Sequence, residues 1–269
     1  MQDLENHILQ MRLLSLKMAY TCGGSAHLGG GLSCIDILAV LYGKIMNTKQ
    51  TDLPFAERDK FILSKGHGVL GLYAALAEFN IFPKDLLDTF QQDGSDLIAH
   101  PVMNEKLGLE SSSGSLGQGI SMAVGLALLA KKKKYSYKTY VLCGNGECNE
   151  GSVWEAVMSA VNFSLDNLVI IIDNNHMQSD GFSRDVMNIS DRYAQIFSSM
   201  GCDSFEVDGH SLEELCRVFS LPHKQVKVVV ANTIKGKGIS FMENNNDWHH
   251  NRLTEKQYQQ ALSELECVI

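Results

Sequence analysis

Residues 5–20 carry Ile8, Leu9, Met11, Leu13, Leu14, Leu16 and Met18 at helical spacing, with Gln10, Arg12 and Lys17 between them. This pattern predicts an amphipathic opening helix. Three compact, largely apolar runs follow at 61–63, 139–143 and 168–172, each stopped by glycine or polar residues. Short runs bounded in this way are expected to be strands. Two more strands are predicted over 203–207 and 226–231; the second is apolar apart from Lys227, as suits a strand covered on both faces. Helices are predicted over 35–42, capped by Ser33, over 69–79, 120–130 and 192–200, and over 212–219 behind the capping stretch 208–211; one more begins near Ser152. Lys131, Lys132, Lys133 and Lys134 close the 120–130 helix as a solvated end favoured by its dipole. Strands alternating with helices predict an α/β fold, a doubly wound parallel sheet with helices on both faces. No repeat, low-complexity stretch or linker interrupts the pattern, so residues 1–269 are expected to form a single domain.

Composition narrows the class of partner. The net charge of −8 argues against nucleic acid or an anionic membrane, both of which need a basic face. No stretch approaches the ~18 apolar residues of a membrane span, and the start lacks the regions of a signal peptide, so a soluble, cytoplasmic protein is expected. The seven cysteines, at 22, 34, 143, 148, 202, 216 and 267, include no Cys-x-x-Cys pair and are expected to be reduced, buried thiols.

The candidate chemistry lies at the strand ends. The runs 139–143 and 168–172 stop at Gly144-Asn145-Gly146 and Asp173-Asn174-Asn175. Open parallel sheets bind ligands at the carboxyl ends of their strands. Turn N–H groups and helix starts favour anions there, and amide and carbonyl oxygens suit a hard cation that phosphate oxygens and water complete. A magnesium diphosphate is therefore expected at this point. No complete Gly-x-Gly-x-x-Gly and no P-loop occur, which excludes the common nicotinamide and P-loop readings. Glycine-flanked histidines recur at His27 and His67, His100 lies in a third loop, and Ser111 to Gly119 forms another glycine-rich turn.

Taken together, these loops resemble the thiamine-diphosphate-binding half of transketolase in its split, two-gene form. Gly144-Asn145-Gly146 with Asn175 is similar to the family's Gly-Asp-Gly…Asn marker. Ala26-His27-Leu28-Gly29-Gly30 and Leu63-Ser64-Lys65-Gly66-His67-Gly68 are similar to its two histidine loops. Gly114-Ser115-Leu116-Gly117-Gln118-Gly119 is similar to its cofactor-contacting turn, and Trp248-His249 to its late histidine motif. The resemblance implies the thiamine-diphosphate-binding fold and its pyrophosphate-binding domain. Asn145, Asn175 and the carbonyl of Met177 would bind Mg2+ or another divalent cation such as Ca2+. His67, Gly114, Ser115, Leu116, Asn145, Gly146, Glu147, Asn175 and His249 would hold thiamine diphosphate, and His27, His67, His100 and His249 would be catalytic. Glu150 and Glu155 match acidic positions between paired active sites, and read equally well as a dipole-favoured helix start.

The implied reaction moves a two-carbon ketol unit from a ketose to an aldehyde. The pyrimidine-binding domain is expected on a separate partner chain, in a heterotetramer. The alternatives are a related acyloin or deoxyxylulose-phosphate-synthase-like enzyme, a transketolase specialised for an unusual or nucleotide-linked sugar, and a non-catalytic cofactor-binding subunit. One departure bears on these choices: the family has Asp where this chain has Asn145, which removes a negative charge from the metal's ligands. A natural variant, an engineered substitution and a binding-only relative would each account for it. His7, His176, His210, His223 and His250 are expected in surface or capping roles, although His250 and Asn251 after His249 hint at an altered substrate funnel.

Overall fold

The computed structural model describes residues 1–48 and 54–267. Its strands are β1 (Lys60–Leu63), β2 (Thr139–Gly144), β3 (Leu168–Asn174), the two-residue β4 (Met177–Gln178) and β5 (Gly181–Phe182), β6 (Asp203–Asp208) and β7 (Lys227–Asn232). Five of them form one wholly parallel sheet in the order β1-β2-β3-β7-β6, and β4 pairs with β5 as a small antiparallel hairpin. The helices are α1 (Gln2–Thr21), α2 (Leu28–Leu32), α3 (Ile35–Val40), α4 (Val69–Glu78), α5 (Gly119–Lys133), α6 (Gly151–Asn162), α7 (Ser183–Val186), α8 (Tyr193–Ser199), α9 (Leu212–Ser220) and α10 (Glu255–Glu266).

Side chains alternate across a strand, and here both faces are apolar. Phe61, Leu63, Tyr140, Leu142, Val169, Ile171 and Val229 pack with α1, α3, α4, α9 and α10. Ile62, Val141, Cys143, Ile170, Ile172 and Val228 pack with α5, α6 and α8. The doubly wound arrangement follows directly: strands apolar on every residue need a helical layer on each side. The one cation in β7 is accommodated, because buried Lys227 donates from Nζ to the carbonyls of Val218 and Leu221, capping the end of α9.

Three elements differ from expectation. The glycine loop after α1 folds into α2, despite the low helix propensity of glycine. Its glycines serve close approaches: a Cβ on Gly29 would stand 2.7 Å from the Trp248 carbonyl oxygen. The polar stretch 179–191 is partly ordered, holding β5 and α7. The C-terminal α10 was not predicted. It starts at a capping box between Thr254 and Gln257 and returns to α1, where Tyr258 stacks on Tyr20 at 4.1 Å. All seven cysteines are free; Cys34, Cys143, Cys148 and Cys202 are buried, whereas Cys267 is exposed rather than packed. Among the described residues no helix is long and apolar enough to cross a membrane.

Candidate active site

Register brings the polar strand ends together. Gly144 of β2 lies beside Asp173 of β3, which lies beside Ala231 of β7. A cavity of about 400 Å3 opens over these ends.

Its floor begins with Asn145, which is buried. The Asn145 N–H donates to the Asp173 carbonyl at 3.2 Å, and its carbonyl accepts from the Tyr193 hydroxyl at 2.7 Å. The side-chain Nδ2 donates to Ser183 Oγ at 2.6 Å, which leaves Oδ1 for the cavity. Asn175 is also buried, and its Oδ1 accepts from the Met177 N–H at 3.1 Å, using one of two lone pairs. His176 between them takes φ +57°, a left-handed turn that lets both Asn175 and Met177 line the same cavity.

Glu147 braces the wall. Its carboxylate accepts from the Ser64 hydroxyl, from the Gly117 N–H at 2.8 Å and from the Gly144 N–H at 2.9 Å. Burial pushes this carboxyl up, with the hydrogen bonds opposing it. Expected among the cofactor-binding residues, Glu147 does line the cavity, but its oxygens are engaged by protein donors that tie three loops together. Gly117 sits at φ +78°, a conformation glycine adopts freely. Gly114 and Leu116 line the cavity, while Ser115 between them is exposed and lies outside the lining.

The opposite wall is made of histidines from separate loops. His27 lies 6.0 Å from His67, 5.4 Å from His100 and 5.5 Å from His249 between ring centroids, and His67 lies 5.6 Å from His249. Glycine admits the packing, because a Cβ on Gly30 would stand 2.9 Å from His67 Cδ2. Burial first, then neighbouring His250, His249, His100 and Lys235, lowers His27 to about 3. Burial and then Lys235 lower His249 to about 4, and burial likewise lowers His67 and His100. All four are neutral imidazoles near pH 7. Lys235 Nζ donates to His249 Nδ1 at 2.9 Å, which assigns the ring proton to Nε2.

Sequence reasoning missed several residues here. Lys65, which lines the cavity, forms a fully buried ion pair with Asp173, and Asp173 also accepts from Ser33 Oγ at 2.6 Å and from Thr233. Burial alone would raise the Asp173 carboxyl, but Lys65 and these hydroxyls hold it below its ordinary value. Lys235, Asn149 and Gln178 line the cavity as well. Of these, Asp173 lay in the polar strand end already singled out, and Lys65 and Lys235 lay in glycine loops of the kind that marked the histidines; Asn149 and Gln178 had no such signal. Glu150 lines the cavity, whereas Glu155 does not and is exposed. His250, expected at the surface, is exposed but stands 4.4 Å from His27.

Residues 4–266 match the family described as transketolase, thiamine diphosphate binding domain. The chain belongs to this family. Among its relatives, one of the subunits of the apulose-4-phosphate transketolase of Actinobacillus succinogenes is 39% identical over 259 residues, covering 96% of this chain and 93% of that protein. The 6-deoxy-6-sulfo-D-fructose transketolase subunit of a Clostridium species is 37% identical, with coverage of 98% and 96%. The solved transketolase of Campylobacter jejuni superposes with a TM-score of 0.89 at 28% identity over 99% of this chain, and the chain spans 43% of that protein's length. The parallel sheet with helices on both faces is thus the fold of the transketolase thiamine-diphosphate-binding domain.

Proposed function

We propose that this chain is the cofactor-holding subunit of a two-chain transketolase, transferring a two-carbon ketol unit from a ketose donor to an aldehyde acceptor. The observation that carries this reading is the convergence of four neutral loop histidines over a floor of amide oxygens at the carboxyl ends of β2 and β3. Relatives named as transketolase subunits match it over nearly their whole length, which supports a single pyrophosphate-binding domain here and the pyrimidine-binding domain on a partner chain. The proposed assembly is a cytoplasmic heterotetramer with its active sites between chains.

The residues present fit a metal diphosphate. Asn145 Oδ1, Asn175 Oδ1 and the Met177 carbonyl are hard oxygen donors of the kind Mg2+ accepts. Asn149 Oδ1 and Gln178 Nε2 are buried in the cavity wall with no hydrogen-bond partner, as suits a wall that meets a polar occupant. His67, Gly114, Leu116, Gly146 and His249, which line the cavity, complete the proposed cofactor contacts, with Glu147 bracing its wall; Ser115, expected among them, lies outside the lining. When bound, thiamine diphosphate supplies the nucleophilic carbon that breaks and makes the C–C bond.

The chain's own contribution is orientation and proton transfer. His27, His67 and His100, uncharged at neutral pH, can each accept a proton from a sugar hydroxyl and return it. His249 acts as a donor through Nε2–H, because Lys235 occupies its other nitrogen. The test is coexpression with the pyrimidine-domain partner and assay of ketose donors against a panel of aldehydes, with divalent metal and cofactor present. Transfer that requires both chains is expected; cofactor binding without turnover would instead favour a non-catalytic subunit, the reading that the missing carboxylate at Asn145 raises.

A further inference from the structure

The loop after His249 returns to the start of the chain. Ala26 and Asn251 form an isolated antiparallel bridge and exchange both hydrogen bonds, Ala26 N–H to the Asn251 carbonyl at 2.9 Å and Asn251 N–H to the Ala26 carbonyl at 3.2 Å. Beside such a pair, the next residues on the two segments stand directly opposite without a hydrogen bond between them, the closest side-chain spacing antiparallel backbone provides. Those residues are His27 and His250. Their ring centroids lie 4.4 Å apart with planes at 38°, nearer than any of the other ring contacts in the cluster.

The placement sets one histidine apart from the other four. His27, His67, His100 and His249 are half-buried and line the cavity, whereas His250 is exposed and stands at its edge, outside the lining. Among the described residues, the His250 ring has no hydrogen-bond partner in the protein. An imidazole presents one donor and one acceptor when neutral, the complement of a sugar hydroxyl.

We propose that His250 is a specificity-determining residue, a fifth imidazole at the rim that hydrogen-bonds the hydroxyl of the acceptor sugar farthest from its reacting carbon. This rests on the transketolase reading above. On this proposal a two-carbon aldehyde, whose only hydroxyl sits next to its reacting carbon, would not reach His250, whereas a four-carbon hydroxyaldehyde would. If His250 served only to hold the His27 ring by stacking, its loss would weaken turnover of every acceptor alike.

The experiment uses the enzyme reconstituted with its partner chain, at saturating concentration of one ketose donor, with glycolaldehyde and erythrose as acceptors. His250→Ala is expected to lower kcat/KM for erythrose ~10-fold, through KM, the size expected of one uncharged hydrogen bond. Glycolaldehyde should lose much less, so that the ratio of the two kcat/KM values shifts at least several-fold. His250→Gln, which keeps a donor and an acceptor, should restore part of the ratio. An unchanged ratio, whether both acceptors fall together or neither falls, overturns the proposal. An unsubstituted complex that binds cofactor but transfers to neither acceptor overturns the transketolase reading, and this proposal with it; that result appears before any substitution is made.

Discussion

Two buried polar groups lie side by side at the carboxyl ends of the strands, and they are built on opposite principles. The Lys65–Asp173 pair is charged and saturated: Asp173 accepts from Lys65, Ser33 and Thr233, and Lys65 also donates to the Gly30 carbonyl at 2.9 Å. The histidine cluster above it is uncharged and open. Apart from the Lys235 contact to His249, its four inner rings make no hydrogen bonds among the described residues. A buried charge must be compensated within the protein or the fold loses it. A neutral ring can keep its capacity free for a substrate. The first group therefore reads as architecture and the second as chemistry.

The sharpest way to break this contrast is to remove one member of the pair. Asp173→Ala leaves Lys65 buried and unpaired, and urea unfolding is expected to show a loss of about 3–5 kcal/mol. The double variant Lys65→Met, Asp173→Leu should lose much less than the two single losses summed; additive losses would show that the pair is not coupled. Next in size, His27→Gln should reduce transfer by the reconstituted enzyme ~10²-fold or more while stability changes by under about 1 kcal/mol. Comparable damage to folding would place His27 with the architecture instead. A smaller change is expected at the floor. Asn145→Asp restores a carboxylate to the metal's ligands, and Ser183 can donate to it where it now accepts, so metal-dependent cofactor affinity should rise about tenfold. Calorimetric titration showing equal or weaker binding would remove charge as the issue at this position.

The mildest test is acidity. His27 and His249 fall to about 3 and about 4, below the ordinary histidine value of 6.5. The unfolded chain therefore binds more protons than the folded one across that interval, and stability falls as pH drops from 6.5 toward 4. Asp173 is also lowered, but its contribution is retained above its ordinary value of 3.8 and lost only below it. Glu147, raised above its ordinary value, acts with the opposite sign in this interval, so the histidines are read from the difference between the unsubstituted protein and a variant that lacks them. Thermal midpoints should decline there, and the double variant His27→Gln, His249→Gln should flatten the decline. An identical profile in the variant and the unsubstituted protein would contradict the neutral state of these rings.

Much of the architecture was legible because strands apolar on both faces leave compact runs, and because every parallel strand must end in a turn. Those turns displayed the site as well: Gly144-Asn145-Gly146, Asn175 and the loops of His27, His67 and His249 all reach one cavity. What stayed hidden depends on distant partners. Lys65 and Asp173 are 108 residues apart, and neither residue alone signals an ion pair. The helical turn α2 was obscured by glycines that propensity counts against a helix, although the close approach of Gly29 to the Trp248 carbonyl requires one there. The strongly polar α10 advertises little, since its burial rests on a few residues such as Ala261 and Leu265. His250 looked like surface because nothing local reveals that Asn251 pairs with Ala26.

The Ala26–Asn251 bridge also bears on how the site opens. The bridge itself consists of two hydrogen bonds, beside the packing of α10 on α1, whereas the cavity floor is held by ladders spanning β2, β3 and β7. Closing so long a loop costs entropy that a small contact cannot recover until the sheet already holds the ends close. The rim is therefore expected to open more readily than the floor. Amide hydrogens of Ala26 and Asn251 should exchange with solvent well ahead of those in β3.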